Sequence, residues 1–148
     1  MSLSVLILME SKPRNLEEYC KHYGISFFNL QLRCVFCHHW IDSIQLASFH
    51  CKQLALIWKK NVCYAACTRC LKLCAAHERE RFYQCNVRSD LLADFLHKPL
   101  NDVVIRCLYC LCKLDFIEKL EHCFNQDYFH LVRCYWRGKC RNCKYNEG

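Results

Sequence analysis

Glycine and proline are scarce in this 148-residue chain, at three and two residues. That excludes a flexible Gly/Ser or Pro-rich linker, so any boundary between domains must be a structured connection. The same scarcity leaves no material for a Gly-rich phosphate loop or a GxSxG nucleophile elbow. His77-Glu78-Arg79-Glu80-Arg81 fails the HExxH metalloprotease pattern at its fifth position, and no Cys/His dyad stands out. The chain is therefore read as a non-enzyme. No apolar run approaches the roughly 20 residues that span a bilayer, which excludes a membrane helix. Leu3 to Met9 is a short apolar stretch with no preceding Lys or Arg, too poor for a secretory signal.

Cysteine is abundant, with sixteen residues, and a content of 53% apolar and 14% aromatic residues argues for packed globular structure. So many cysteines mean either a disulfide scaffold in an oxidising compartment or thiolate metal ligation in a reducing one. The weak N-terminal signal favours metal. It also changes the meaning of the formal charge of +7, which eight bound thiolates and two dications would reduce to +3. The late basic cluster of Arg133, Arg137, Lys139, Arg141 and Lys144 is read first as a solvated rim and second as a nucleic-acid surface.

A shift of 73 residues superimposes the sequence on itself without a gap. Arg33-Cys34-Val35-Phe36-Cys37 falls on Arg106-Cys107-Leu108-Tyr109-Cys110, and Cys67/Cys70 on Cys140/Cys143. Asp42, Ile44 and Gln53 also meet their own kind at Asp115, Ile117 and Gln126. Each copy reads CxxC, 29 residues, CxxC, with 36 residues between copies. Two cysteines separated by two residues reach one ion from a tight turn, and a second pair closes a tetrahedral structural zinc site. The predicted ligands are Cys34, Cys37, Cys67 and Cys70 for one zinc ion and Cys107, Cys110, Cys140 and Cys143 for the other. Zinc is favoured over an iron–sulfur cluster because each pair-to-pair segment is long enough to be a folded element.

The fold class is α+β, two duplicated small zinc modules joined by a linker helix. The expected organisation is an N-terminal arm and short helix over 1–28, a first module over 29–74, linker helices over 75–101, and a second module with tail over 102–148. Asn15 and Glu18 suggest a capping box for a helix that Gly24 closes. Leu30 to Arg33 and Val103 to Arg106 read as strands feeding a CxxC. Ile44 to Phe49 and Phe116 to Cys123 read as helices, followed by strands near Leu54 to Trp58 and Tyr128 to Trp136. A helix leaves Cys67 toward Tyr83, and Ser89 is expected to cap another over Asp90 to His97. The remaining cysteines, 20, 51, 63, 74, 85, 112, 123 and 134, are read mostly as small buried apolar residues. His38 and His39 are read as surface or hydrogen-bonded histidines. The first eight residues are expected to be dispensable, with Met9 as an alternative start.

The doubled CxxC pattern resembles the papillomavirus early protein 6 family, most closely forms from cutaneous human types. The likeness runs from about Pro13 to Lys144 and includes Asn15-Leu16, Leu56-Ile57-Trp58, Pro99-Leu100, Ile105-Arg106-Cys107, Glu118-Lys119-Leu120 and the run from Val132-Arg133 to Trp136. The resemblance implies a viral adaptor that grips acidic LxxLL helices of host proteins in a pocket between the modules and the linker helix. Carried onto this chain, the pocket comprises Val35, Phe36, Leu54, Ile57 and Leu71, with Arg14, Arg106 and Arg133 for the acidic residues. Read on periodicity alone, Leu54, Ile57 and Leu71 are core.

The implied partners are a HECT-type ubiquitin ligase or a Mastermind-like coactivator, with pro-apoptotic host proteins as targets. A weak homodimer and residence in host cytoplasm and nucleus also follow from the resemblance. Lys144-Tyr145-Asn146-Glu147-Gly148 lacks a PDZ-binding tail, so no PDZ partner is expected. The alternative is a zinc-dependent nucleic-acid-binding transcription regulator.

Overall fold

The computed structural model describes residues 12–145. The expectation for the first eight residues therefore lies outside the described part. The chain divides into two compact units, Met1–Cys67 and Thr68–Gly148.

In the first unit, helix α1 (Leu16–Tyr23) starts at Asn15, whose side chain accepts from the Glu18 N–H at 2.8 Å. Glu18 returns a carboxylate to the Arg14 N–H, one residue before the usual capping-box partner. Gly24, at φ 61°, closes the helix in the left-handed conformation that glycine takes without strain. A 3-10 turn, Phe27–Asn29, leads to β1 (Arg33–Cys34), shorter than the expected strand, although Leu30 and Leu32 face inward and Gln31 and Arg33 outward as the alternation requires. Helix α2 (Ser43–Cys51) is capped by Asp42. The hairpin of β2 (Ile57–Lys59) and β3 (Val62–Ala65) completes a sheet in the order β1-β3-β2, with β1 parallel to β3. Leu16, Leu30, Leu32, Ile41, Leu46, Phe49 and Leu56 are buried in it.

The second unit opens with α3 (Thr68–Arg81), followed by β4 (Tyr83–Arg88), α4 (Ser89–Leu96), a 3-10 turn at Leu100–Asp102, β5 (Ile105–Cys107), α5 (Phe116–Phe124), β6 (Tyr128–Val132), β7 (Tyr135–Gly138) and α6 (Arg141–Tyr145). Its sheet runs β4-β6-β7-β5, again with the CxxC strand parallel to the second hairpin strand. The expected strand from Tyr128 to Trp136 is thus a hairpin, broken where Arg133 and Cys134 take φ 49° and 65°. Lys60 and Asn61 break the first hairpin in the same way, at 51° and 65°. Paired left-handed residues of this kind match the right-handed twist of the flanking strands.

The 73-residue repeat reaches further upstream than the metal pairs suggest. Helix α4 is the counterpart of α1, and its left-handed C-cap, His97, stands where Gly24 stands. Leu56 N–H donates to the Arg14 carbonyl at 2.8 Å, matching the pairing of Val87 with Phe129 in the second sheet. Residues 83–101, expected to belong to a linker, therefore form the edge strand and packing helix of the second unit. Ser89 is not a cap: Arg88 occupies that position without a side-chain bond, and the buried Ser89 hydroxyl donates to the His122 carbonyl.

Volume is exchanged between the copies. Leu56 of the first core is replaced by the fully buried Phe129, and Ala65, which pairs with Cys34, by Gly138, which pairs with Cys107. A Cβ on Gly138 would stand 3.0 Å from the Phe129 ring. The larger ring needs the missing methyl.

Candidate metal centres and peptide-contact residues

Both predicted tetrads assemble. The Sγ atoms of Cys34, Cys37, Cys67 and Cys70 lie within 4.8 Å of one another, and so do those of Cys107, Cys110, Cys140 and Cys143. Four thiolates at about 2.3 Å from zinc stand about 3.8 Å apart along the edges of a tetrahedron. The Cys37–Cys67 and Cys110–Cys140 sulfurs are separated by 3.8 and 3.6 Å, so the donor set fits the ion in spacing as well as in chemistry.

The backbone builds each centre in the same way. The first CxxC turns back on itself, with Cys34 N–H donating to the His39 carbonyl and Cys107 N–H to that of Cys112. The residue after the first cysteine then bonds across to the hairpin, Val35 N–H to Ala65 and Leu108 N–H to Gly138. This positions the third ligand, whose own N–H points at the first sulfur: Cys67 to Cys34 Sγ and Cys140 to Cys107 Sγ, both at 3.4 Å. Such donors favour the thiolate that metal binding requires. Burial opposes ionisation of Cys34, but the N–H groups of Cys37, Cys67 and Phe36 outweigh it and bring the thiol down to about 7. Cys107 is driven strongly down by hydrogen bonds from the thiols of Cys110, Cys112 and Cys140. Burial pushes Cys143 up to about 12, so that thiol is ionised by the metal rather than in advance of it.

Cys107, Cys110 and Cys140 pack in one apolar cluster with Leu92, Val103, Ile105, Leu114 and Phe129. Metal centre and core are continuous. Glu118 adds a tie: one oxygen accepts from Asp115 N–H in a complete capping box, the other from Arg141 N–H at 2.7 Å, next to ligand Cys140. Lys119 is buried with its ammonium on the carbonyls of Leu100 and Val103. Arg79 of α3 stacks on Tyr109 and donates to the Leu108 carbonyl, fixing that helix to the second CxxC turn.

The leftover cysteines depart from expectation. Only Cys63 of the eight is buried, which pushes its thiol up to about 12, while Cys51, Cys85 and Cys134 are exposed. Cys112 lies against the second metal centre, within hydrogen-bonding reach of the thiols of Cys107, Cys110 and Cys140. The CxxCxC spacing was the available signal. Its counterpart is His39, which is exposed like His38.

The residues for which the resemblance implies peptide contact divide between the units. In the first, Arg14 and Leu54 line one cleft of about 320 Å³ together with Asn15, His50, Gln53 and Ala55. Phe36 is 54% exposed, Ile57 is half-buried and Val35 is buried. In the second, Leu71 is buried at the start of α3. Arg133 is exposed with its guanidinium 4.0 Å from the Phe82 ring centre. Arg106 is half-buried, donates to the Leu111 carbonyl, and has its pKa lowered by burial and then by Arg137 across the sheet. Arg137 itself is buried beside Glu78 and stacked on Tyr135, so it does not belong to a solvated rim.

With this architecture in hand, known proteins were compared. The family described as Early Protein (E6) matches residues 10–143. The chain belongs to the papillomavirus E6 family. Protein E6 of human papillomavirus type 48 is 46% identical over 136 residues, covering 92% of this chain and 96% of that protein. Protein E6 of human papillomavirus 4 is 39% identical, covering 92% and 97%. Among solved structures, the C-terminal zinc-binding domain of HPV51 oncoprotein E6 matches at 28% identity with a TM-score of 0.40, covering 46% of this chain and 88% of that one. As an E6 protein with two tetracysteine groups, the chain is a viral early protein whose two sets of four thiolates each fit one zinc ion.

Proposed function

We propose that this E6 protein is an adaptor that binds acidic LxxLL helices of host proteins, capturing a HECT-type ubiquitin ligase or a Mastermind-like coactivator. On this reading it redirects the ligase against pro-apoptotic proteins, alters host transcription and differentiation, and works in host cytoplasm and nucleus. The observation that carries the reading is the first unit's cleft, where an exposed arginine, Arg14, stands beside Leu54. An amphipathic acidic helix needs an apolar wall for its leucines and a cation at the rim for its carboxylates. Exposed Phe36 offers further apolar surface in the same unit. Zinc ties these segments together without entering any chemistry.

The test is fluorescence polarisation with an acidic LxxLL peptide and the zinc-loaded full chain. Leu54→Glu puts an unpaired charge on the apolar wall and is expected to weaken binding by about a hundredfold or more. Arg14→Ala, whose charge is exposed at the cleft, should cost a few-fold and flatten the salt dependence. Zinc content and melting are measured on the same samples. Unchanged affinity in a two-zinc Leu54→Glu protein refutes the assignment. Tight binding to duplex DNA with a steep salt slope, without peptide binding, would favour the nucleic-acid reading instead.

A further inference from the structure

The internal repeat lets equivalent surface positions of the two units be compared, and they differ on the outer face of one helix pair. In the second unit α4 and α5 pack together: the Ser89 hydroxyl donates to the His122 carbonyl, and the Cys123 thiol approaches the Ser89 carbonyl at 3.5 Å. Leu92, Glu118, Lys119 and His122 form the buried sides of these helices. Their outer sides are apolar. Leu91 and Phe95, one turn apart on α4, are 48% and 65% exposed, and Ile117, Leu120 and Phe124, on one stripe of α5, are 61%, 37% and 87% exposed.

At the same places the first unit has Glu18, His22, Ile44, Ala47 and Cys51, keeping only one of the five large apolar side chains. The fold therefore does not require this face to be apolar. Clustered exposed apolar side chains of this kind mark an interaction site rather than ordinary surface.

Charge says what covers it. The exposed charged side chains on α4 and α5 are Asp90, which the exposed N-cap residue Arg88 neutralises through two hydrogen bonds, and the acidic Asp94 and Glu121. Lys119 is turned inward onto two carbonyls, and His122 is buried between Asp127 and the Lys139 carbonyl. In a chain with formal charge +7, Asp94 and Glu121 give this apolar stripe an acidic edge. Nucleic acid and anionic membrane surfaces are disfavoured by that sign. We infer that the outer face of α4 and α5 is a second docking surface, which takes a basic amphipathic helix of a partner protein, with leucine-like side chains on Phe95, Leu120 and Phe124 and Lys or Arg on Asp94 and Glu121. Its charge preference is the reverse of that proposed for the acidic LxxLL cleft.

The test uses the zinc-loaded full chain and two synthetic amphipathic helices of one pattern, leucine–lysine and leucine–glutamate, followed by polarisation. The leucine–lysine helix should bind, and the leucine–glutamate helix should bind at least about tenfold more weakly at low salt. Phe124→Asp and Leu120→Gln should each weaken leucine–lysine binding by about tenfold or more. Asp94→Asn with Glu121→Gln should cost a few-fold and flatten the salt slope. These residues are exposed, so the variants should keep two zinc ions and the wild-type melting temperature. Equal binding of the two peptides, or binding indifferent to Phe124→Asp, overturns the inference. So does a dimer in sedimentation that Phe124→Asp dissolves, since a second copy would then be the occupant.

Discussion

Cys112 shows why identity alone does not assign a cysteine. Its thiol lies against three of the four second-centre ligands, yet the tetrad is complete without it. Cys112→Ser should retain two zinc ions by native mass spectrometry, whereas Cys140→Ser should retain one and destabilise the second unit, because structural zinc supplies folding free energy of about 10 kcal/mol or more in small domains. His130 gives a pH signature. Burial, aided by His122, holds its pKa below the ordinary 6.5. Since the folded value is depressed, the stability associated with neutral His130 is complete above about 6.5 and is lost as pH falls through the lower folded value. His130→Gln should flatten the fall in melting temperature between neutral and mildly acid pH, measured while both zinc ions remain bound.

At the scale of elements, the repeat supplies matched substitutions. Gly138→Ala drives a methyl against the Phe129 ring and should cost about 1–3 kcal/mol in denaturant unfolding. Adding Phe129→Leu restores the first unit's Ala and Leu combination and should recover part of that loss. At the C-cap shared by α1 and α4, Gly24→Ala forces an L side chain to φ 61° and should destabilise by about 1 kcal/mol, whereas His97→Gly relieves strain at φ 55° and should be neutral to stabilising by up to about 1 kcal/mol. Opposite signs at equivalent positions isolate backbone strain from packing.

For the whole molecule, the metal centres and the units are inseparable. Neither CxxC pair is local to the other along the chain; within each unit they are joined by the parallel strand pairing, by the bonds of Val35 to Ala65 and Leu108 to Gly138, and by the N–H of the third cysteine on the first sulfur. Removal of both ions by a chelator should therefore abolish the sheets in both units, seen as loss of cooperative melting. The exposed cysteines 51, 85 and 134 should then be joined in thiol titration by the other thirteen of the sixteen.

The two cysteine tetrads, the duplicated α+β modules and the Asn15 cap were legible in the sequence, because metal spacing and capping are set by a few residues close along the chain; Asp42 and Asp115 stood out only as a matched pair of the repeat, and the cap expected at Ser89 falls on Arg88. Helix positions and the strands near Leu54 to Trp58 and Tyr128 to Trp136 were read from periodicity, but β3, β4 and the hairpin break at Arg133 and Cys134 were not, and at that break neither residue type announces a left-handed turn. The upstream reach of the repeat was hidden because α1 and α4 share almost no residues; they are related by the strand pairing and C-cap geometry that both keep. Exposure was decided by tertiary structure alone. Cys63 and Cys51 are the same residue on opposite sides of a surface, and Lys119 and Glu121 lie on one helix with one turned in and the other out, since a helix sets the angle between side chains while only its packing partner decides which side is dry.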